Sequence, residues 1–160
     1  MTSDKPCYCC SLKLLTDCCG PLLSGAQHAQ TPEALMRSRY SAFCTGNIEY
    51  LIETLHPAAR IADDRAALNK TIAGTHWRGL KVIYSNNNKA QGQVEFCAFY
   101  SDKQAQHPEA PIAQLHELSE FELIDNRWRY SHGKHLEPIK MARNDTCFCG
   151  SGLKYKKCCG

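Results

Sequence analysis

Apolar residues recur with a helical period in the first half of the chain and alternate in the second. Met36, Tyr40 and Phe43 fall at i, i+4 and i+7, which predicts a helix with one buried face. Its ends are punctuated by Thr31 as N-cap, Pro32 at the first position, Glu33 in the first turn and Gly46 as the stop. Asn47 can cap a second short helix, Ile48 to Leu55, which His56-Pro57 halts because the residue before a proline is pushed out of the helical region. A third helix, Asp63 to about Ile72, places Leu68 and Ile72 on one face.

After Trp77 the period becomes two. Leu80, Val82 and Tyr84 alternate with Lys81 and Ile83, and Asn86-Asn87-Asn88 reads as a turn. A second strand from Gln93 to Ser101 sets Val94, Phe96, Ala98 and Tyr100 on one face, and the polar run 102–111, with Pro108 and Pro111, reads as a loop. A third strand covers Ala113 to Ile124, and Asp125-Asn126 predicts a tight hairpin into Arg127–His132. Three helices followed by four sequential strands predict an α+β fold, a curved antiparallel sheet with helices across one face.

This pattern occupies residues 26–136, and the flanks are different in kind. Residues 137–160 end in Cys147-x-Cys149, eight residues, then Cys158-Cys159-Gly160, with Gly150-Ser151-Gly152 between the pairs. Residues 1–25 repeat the spacing as Cys7-x-Cys9, eight residues, Cys18-Cys19-Gly20. Each set places four soft ligands on one small loop, which suits a single tetrahedral zinc ion. Four protein ligands close the coordination sphere, so such a site is structural and not hydrolytic. In the first module Cys10 and Leu12 stand where Gly150 and Gly152 stand in the second. Five thiols there compete for four places; the repeated spacing selects Cys7, Cys9, Cys18 and Cys19 and leaves Cys10 free or in exchange. A free Cys10 also raises thiol redox sensing as a minor reading.

Composition narrows the class. With 43% apolar and 22% charged residues the chain reads as globular, and no stretch approaches the roughly 18 apolar residues of a membrane span. No apolar segment follows Met1–Lys5, so no export signal is read and a reducing cytoplasm is expected. Eleven cysteines there imply metal-bound thiolates, because a disulfide across one residue closes a strained ring. The formal charge of +3 becomes −1 once two tetrathiolate zinc sites each contribute −2, which gives no support to direct nucleic-acid binding. Locally Lys134, Lys140, Arg143, Lys154, Lys156 and Lys157 face only Glu137 and Asp145, a basic excess of +2 beside the metal. Those lysines either contact a partner or merely offset the thiolates.

The C-terminal run C-x-C-G-S-G-x-x-Y-x-x-C-C-G resembles the SEC-C motif of the SecA preprotein translocase tail, which implies one zinc per motif on the four cysteines. The whole chain resembles the YchJ family of small bacterial SEC-C proteins. The residues that carry this are the two cysteine modules, Arg37-Ser38-Arg39-Tyr40-Ser41-Ala42-Phe43, His56-Pro57, His116-Glu117-x-Ser119-x-Phe121 and Trp128-x-Tyr130-x-x-Gly133. That resemblance implies a nuclear transport factor 2-like cone for the central domain and no particular activity. The SecA tail engages a chaperone and the ribosome, so the implied function is an adaptor docking on a protein or ribonucleoprotein through Lys154, Tyr155, Lys156 and Lys157.

Cones of this type often enclose a pocket. Period two turns Glu117 and Ser119 inward with Phe121, and sets Trp128, Tyr130 and His132 on one face of the next strand. With Arg39 and His56 from the helices these residues would line a polar-aromatic pocket, the alternative reading being an enzyme or small-molecule binder with a carboxylate–histidine pair. Against catalysis, no nucleophile or cofactor motif is present, and Arg39 paired to Glu117 would make the same residues a structural network.

Overall fold

The computed structural model describes residues 5–105 and 110–160. Helix α1 (Gly20–Leu23) follows the first cysteine module, and α2 (Pro32–Thr45), α3 (Ile48–Glu53) and α4 (Asp64–Gly74) precede four strands. The strands β1 (Thr75–Asn88), β2 (Gln91–Asp102), β3 (Ala113–Ile124) and β4 (Arg127–His135) form an antiparallel meander in the order β1-β2-β3-β4. The α+β architecture follows the hydrophobic pattern.

Local chemistry explains the boundaries. Thr31 accepts from the Ala34 amide and Asn47 from the Tyr50 amide, so each satisfies an orphan donor at a helix start. Gly46 ends α2 in the left-handed region at φ 71°. Asp125 and Asn126 both have positive φ, as the two-residue hairpin between β3 and β4 requires. Two expectations are corrected. The asparagine triplet is no turn: Asn86, Asn87 and Asn88 pair with Gln93, Gly92 and Gln91, and the chain reverses at Lys89-Ala90, with Lys89 at φ 54°. The exit from the first module is not irregular but the single helical turn α1, with Pro21 in its first turn. The loop read at 102–111 lies partly outside the described residues.

Both faces of the sheet are covered. On the inner face Met36 and Tyr40 of α2 pack with Leu80, Val94, Ala98, Phe121 and Trp128. Cys7, Cys9 and Cys19 belong to this same cluster, so the first cysteine module contributes to the main core instead of standing apart. On the outer face Cys97 and Phe99 of β2 pack with Cys147 and Phe148 of the second module. Docking there uses backbone as well. The Leu80 amide donates to the Phe148 carbonyl at 3.1 Å, and any Cβ at neighbouring Gly79 would collide with that carbonyl.

Candidate metal centres and central cavity

The two cysteine modules share one backbone geometry. Each begins with an isolated antiparallel bridge, Pro6 to Leu14 and Thr146 to Lys154. The amides of Cys7 and Cys147 donate to the carbonyls of Lys13 and Leu153 at 2.8 and 2.7 Å. Each then closes with a three-residue 3-10 turn, Leu15–Asp17 or Tyr155–Lys157, which delivers the vicinal cysteines. Between the pairs, Gly150 and Gly152 take φ of 80° and 76°, and Cys10 and Leu12 take 59° and 65° at the equivalent places. The loop path therefore survives the loss of both glycines. A side chain in the left-handed region costs about 1 kcal/mol, and Leu12 is 64% exposed, with little packing to offset it. Leu12→Gly is expected to stabilise the protein by about 0.5–1 kcal/mol and to raise its melting temperature by about 1–3 °C. Thermal unfolding of the metallated protein checks this.

In each module the four Sγ atoms lie within 4.8 Å of one another: Cys7, Cys9, Cys18 and Cys19 in the first, Cys147, Cys149, Cys158 and Cys159 in the second. Measured separations are 3.5 Å for Cys9–Cys18, 3.9 Å for Cys18–Cys19, 3.4 Å for Cys149–Cys158 and 3.8 Å for Cys158–Cys159. Four sulfurs about 2.3 Å from a tetrahedral ion would be spaced about 3.8 Å apart. An all-thiolate set at this spacing fits one soft tetrahedral metal ion per module. Hydroxyls support both sets from outside, Ser11 Oγ at 3.2 Å from Cys18 Sγ and Ser151 Oγ at 3.3 Å from Cys158 Sγ. The first set is also gripped by α2, whose Ser41 Oγ lies 3.9 Å from Cys7 Sγ and whose Arg37 donates to the Cys9 carbonyl at 2.9 Å.

Cys10 stands outside the first ligand set and packs where Gly150 of the second module approaches. Burial pushes its thiol up to about 11, outweighing a backbone hydrogen bond from Leu80. It is a protonated wedge between the two modules at neutral pH, which runs against thiolate-based sensing.

The sequence-predicted pocket residues divide. Arg39, Glu117 and Tyr130 line a cavity of about 190 Å³ between α2, α4 and the inner sheet face. Glu117 accepts from the Ser119 and Tyr130 hydroxyls at 2.7 and 2.8 Å. The expected pairing of Arg39 with Glu117 is not formed. Arg39 donates instead to the Leu51 carbonyl and Thr54 Oγ1 at 2.7 and 2.6 Å, and its guanidinium lies 4.8 Å from the Tyr130 ring centroid.

Three residues are elsewhere. His56 caps the 3-10 turn that follows α3 by accepting from the Ala58 amide, and meets Glu122 at 3.2 Å. Trp128 is a core residue whose indole donates to the Gln30 carbonyl at 3.3 Å, beside a separate recess of about 160 Å³. His132 is exposed because a register shift at Glu120/Phe121 leaves Ser131 unpaired and reverses the alternation of β4. Past that bulge Gly133 and His135 turn toward Glu117, with His135 Nε2 3.6 Å from its carboxylate. Trp77 and Phe43 also line the cavity and the sequence reading missed both, while His135 meets Glu117 from an exposed position outside the lining.

Of the expected partner contacts, Lys154, Lys156 and Lys157 are exposed on the second module. Tyr155 is not a free contact, because its ring is half-buried against Phe148 with centroids 6.1 Å apart.

Comparison with known proteins agrees with this construction. Residues 31–133 match the family model described as YchJ, middle NTF2-like domain, and residues 143–160 match the SEC-C motif. A UPF0225 protein of Sodalis glossinidius is 43% identical over 158 residues, 97% of each chain. The solution structure of a SEC-C motif containing protein from Rhodopseudomonas palustris superposes with a TM-score of 0.75 at 34% identity, covering 83% of this chain and 100% of that one. The crystal structure of a SEC-C motif containing protein from Psychrobacter arcticus covers 99% of this chain and 97% of that one, with a TM-score of 0.68 at 30% identity. The SEC-C motif is matched at the C-terminal end, and the geometry of residues 5–20 repeats it at the other. An NTF2-like middle domain over 31–133, relatives aligned along nearly the whole length and the SEC-C motif at 143–160 together show that the chain belongs to the YchJ family.

Proposed function

We propose that this chain is a cytoplasmic zinc protein in which both ions hold the fold, and in which the outer side of the C-terminal knuckle docks on an acidic surface of a protein or ribonucleoprotein. One observation carries the reading, the unequal burial of two knuckles of equal geometry. Cys7, Cys9 and Cys19 are 6%, 0% and 1% exposed, sealed into the main core. Cys158 and Cys159 are exposed, ringed by Lys154, Lys156 and Lys157, with Leu153 53% exposed beside them. A closed tetrathiolate sphere leaves no position for substrate, so the ions supply stability and shape, not hydrolysis. Thiolate sites of this kind persist in a reducing compartment.

The test is a pull-down comparing wild type with the triple variant Lys154→Glu, Lys156→Glu, Lys157→Glu, with native mass spectrometry of each. Two zinc ions per chain are expected in both proteins, and loss of the recovered partner only in the variant. Equal recovery by the variant would move the docking surface elsewhere, and fewer than two ions in wild type would defeat the two-metal part of the reading.

A further inference from the structure

The cavity under the sheet is separate from both metal centres and carries its own chemistry. Its walls are largely apolar, with Phe43 of α2, Trp77 of β1, Phe96 of β2 and Phe121 of β3 among them. An apolar cavity of about 150 Å³ holds a benzene molecule, so about 190 Å³ takes one ring with a small substituent.

One end of the cavity is polar, and its hydrogen bonds are unevenly satisfied. Ser119 and Tyr130 commit their hydroxyl protons to Glu117, whose other oxygen faces His135. Arg39 makes both of its hydrogen bonds through Nη1. Among the described residues its Nε and Nη2 donate to nothing and no carboxylate pairs with it. Burial pulls the guanidinium down to about 10, still well above neutral pH, so the charge is retained. Trp77 Nε1 is the one buried side-chain donor left without a partner among the described residues, so these Arg39 N–H groups still reach water, and an acceptor seated in the cavity would take that water's place. The charge balance selects the kind of acceptor. Arg39 and Glu117 line the same cavity with opposite formal charges. A neutral occupant preserves that balance, while a carboxylate would bring a second anion beside Glu117 in a poorly solvated space.

From this geometry we infer that the cavity binds a neutral, single-ring-sized apolar molecule bearing one carbonyl group, its oxygen on the free N–H groups of Arg39 and its body among Phe43, Trp77, Phe96 and Phe121. The inference stands independently of the docking surface on the C-terminal knuckle.

Benzamide is a suitable probe, followed by the two indole N–H resonances of the ¹⁵N-labelled, metallated protein. The Trp77 indole, which lines the cavity and has no acceptor, is expected to shift saturably. The Trp128 indole, bonded to the Gln30 carbonyl outside the cavity, is expected to stay in place. Toluene, which lacks the acceptor, and benzoate, which adds a charge, are each expected to bind at least tenfold more weakly. Arg39→Met is expected to lose at least tenfold in benzamide affinity. Because that change also removes the bonds to Leu51 and Thr54, Ala98→Leu provides a second variant that fills the space from β2 and should abolish the Trp77 shift. The inference is overturned by an unsaturable or absent Trp77 shift, by benzoate or toluene binding as tightly as benzamide, or by folded Arg39→Met or Ala98→Leu proteins that bind it as wild type does.

Discussion

Cys9→Ser is expected to cost the protein one of the two metal ions proposed for it and to lower its melting temperature by about 10 °C. A serine hydroxyl is a poor ligand for a soft ion, and three thiolates do not close the sphere. Without the ion, residues 5–25 retain only a three-residue 3-10 turn and the four-residue α1, too short to persist alone. Their packing is what the main core loses. Cys7, Cys9 and Cys19 are members of that core, and Leu15, Leu22 and Leu23 pack against it. The combined loss is on the order of 3–5 kcal/mol, and at about 2–4 °C per kcal/mol for a domain of this size it gives the stated shift. Two controls locate the effect. Cys10→Ser should keep both ions, since Cys10 is outside the ligand set. Cys158→Ser should lose one ion with a smaller thermal shift, since its thiolate is exposed and its module is not sealed into the main core. Native mass spectrometry with thermal unfolding checks all three. A Cys9→Ser protein that retains two ions, or melts with wild type, would remove the first module as a metal-dependent part of the core.

Local signals in the sequence were legible wherever one residue decides the backbone. Thr31, Asn47 and Asp125-Asn126 each satisfy or shape the chain within four residues, and each sits where the pattern placed it. The two four-cysteine clusters were legible for the same reason, since their spacing is itself the local geometry. What failed depended on register and on tertiary contact. Asn86–Asn88 carry turn-forming side chains, yet the Asn86 carboxamide accepts from the Gln93 amide across the hairpin and the turn moves to Lys89-Ala90. His132 was placed inward by period two, and one unpaired residue at the bulge leaves it exposed and brings the exposed His135 to Glu117 instead. Arg39 lines the cavity, but its partners are a helix-end carbonyl and a threonine hydroxyl, which no spacing rule specifies. The coverage of the outer sheet face was also invisible, because nothing within reach of Cys97 and Phe99 along the chain shows that the second knuckle lies upon them.

Phe148 carries most of that outer attachment, and Phe148→Ala is expected to lower stability by about 3 kcal/mol and the melting temperature by about 6–12 °C. Its ring is 5% exposed and stacks on Phe99 with centroids 3.9 Å apart at 10°. The cluster it anchors holds only Cys97, Phe99 and Cys147 besides, with Ile139, Met141, Cys149 and Tyr155 at its margin. So small a cluster can partly collapse into the space left behind, which places the cost at the lower end for a buried phenylalanine. The side chain is no ligand, so the variant should still hold two ions while the segment leading into the knuckle becomes accessible to protease. Tyr8 occupies the same place in the first module but is only half-buried, with Lys5 4.3 Å over its ring. Tyr8→Ala should therefore change stability by less than about 1 kcal/mol. This contrast separates two ways of fastening one motif: the first knuckle is held by its own cysteines in the core, the second by the aromatic residue between its first two ligands. Equal melting of Phe148→Ala and wild type would show that the second knuckle is held by its connection through residues 134–146 instead of by the sheet.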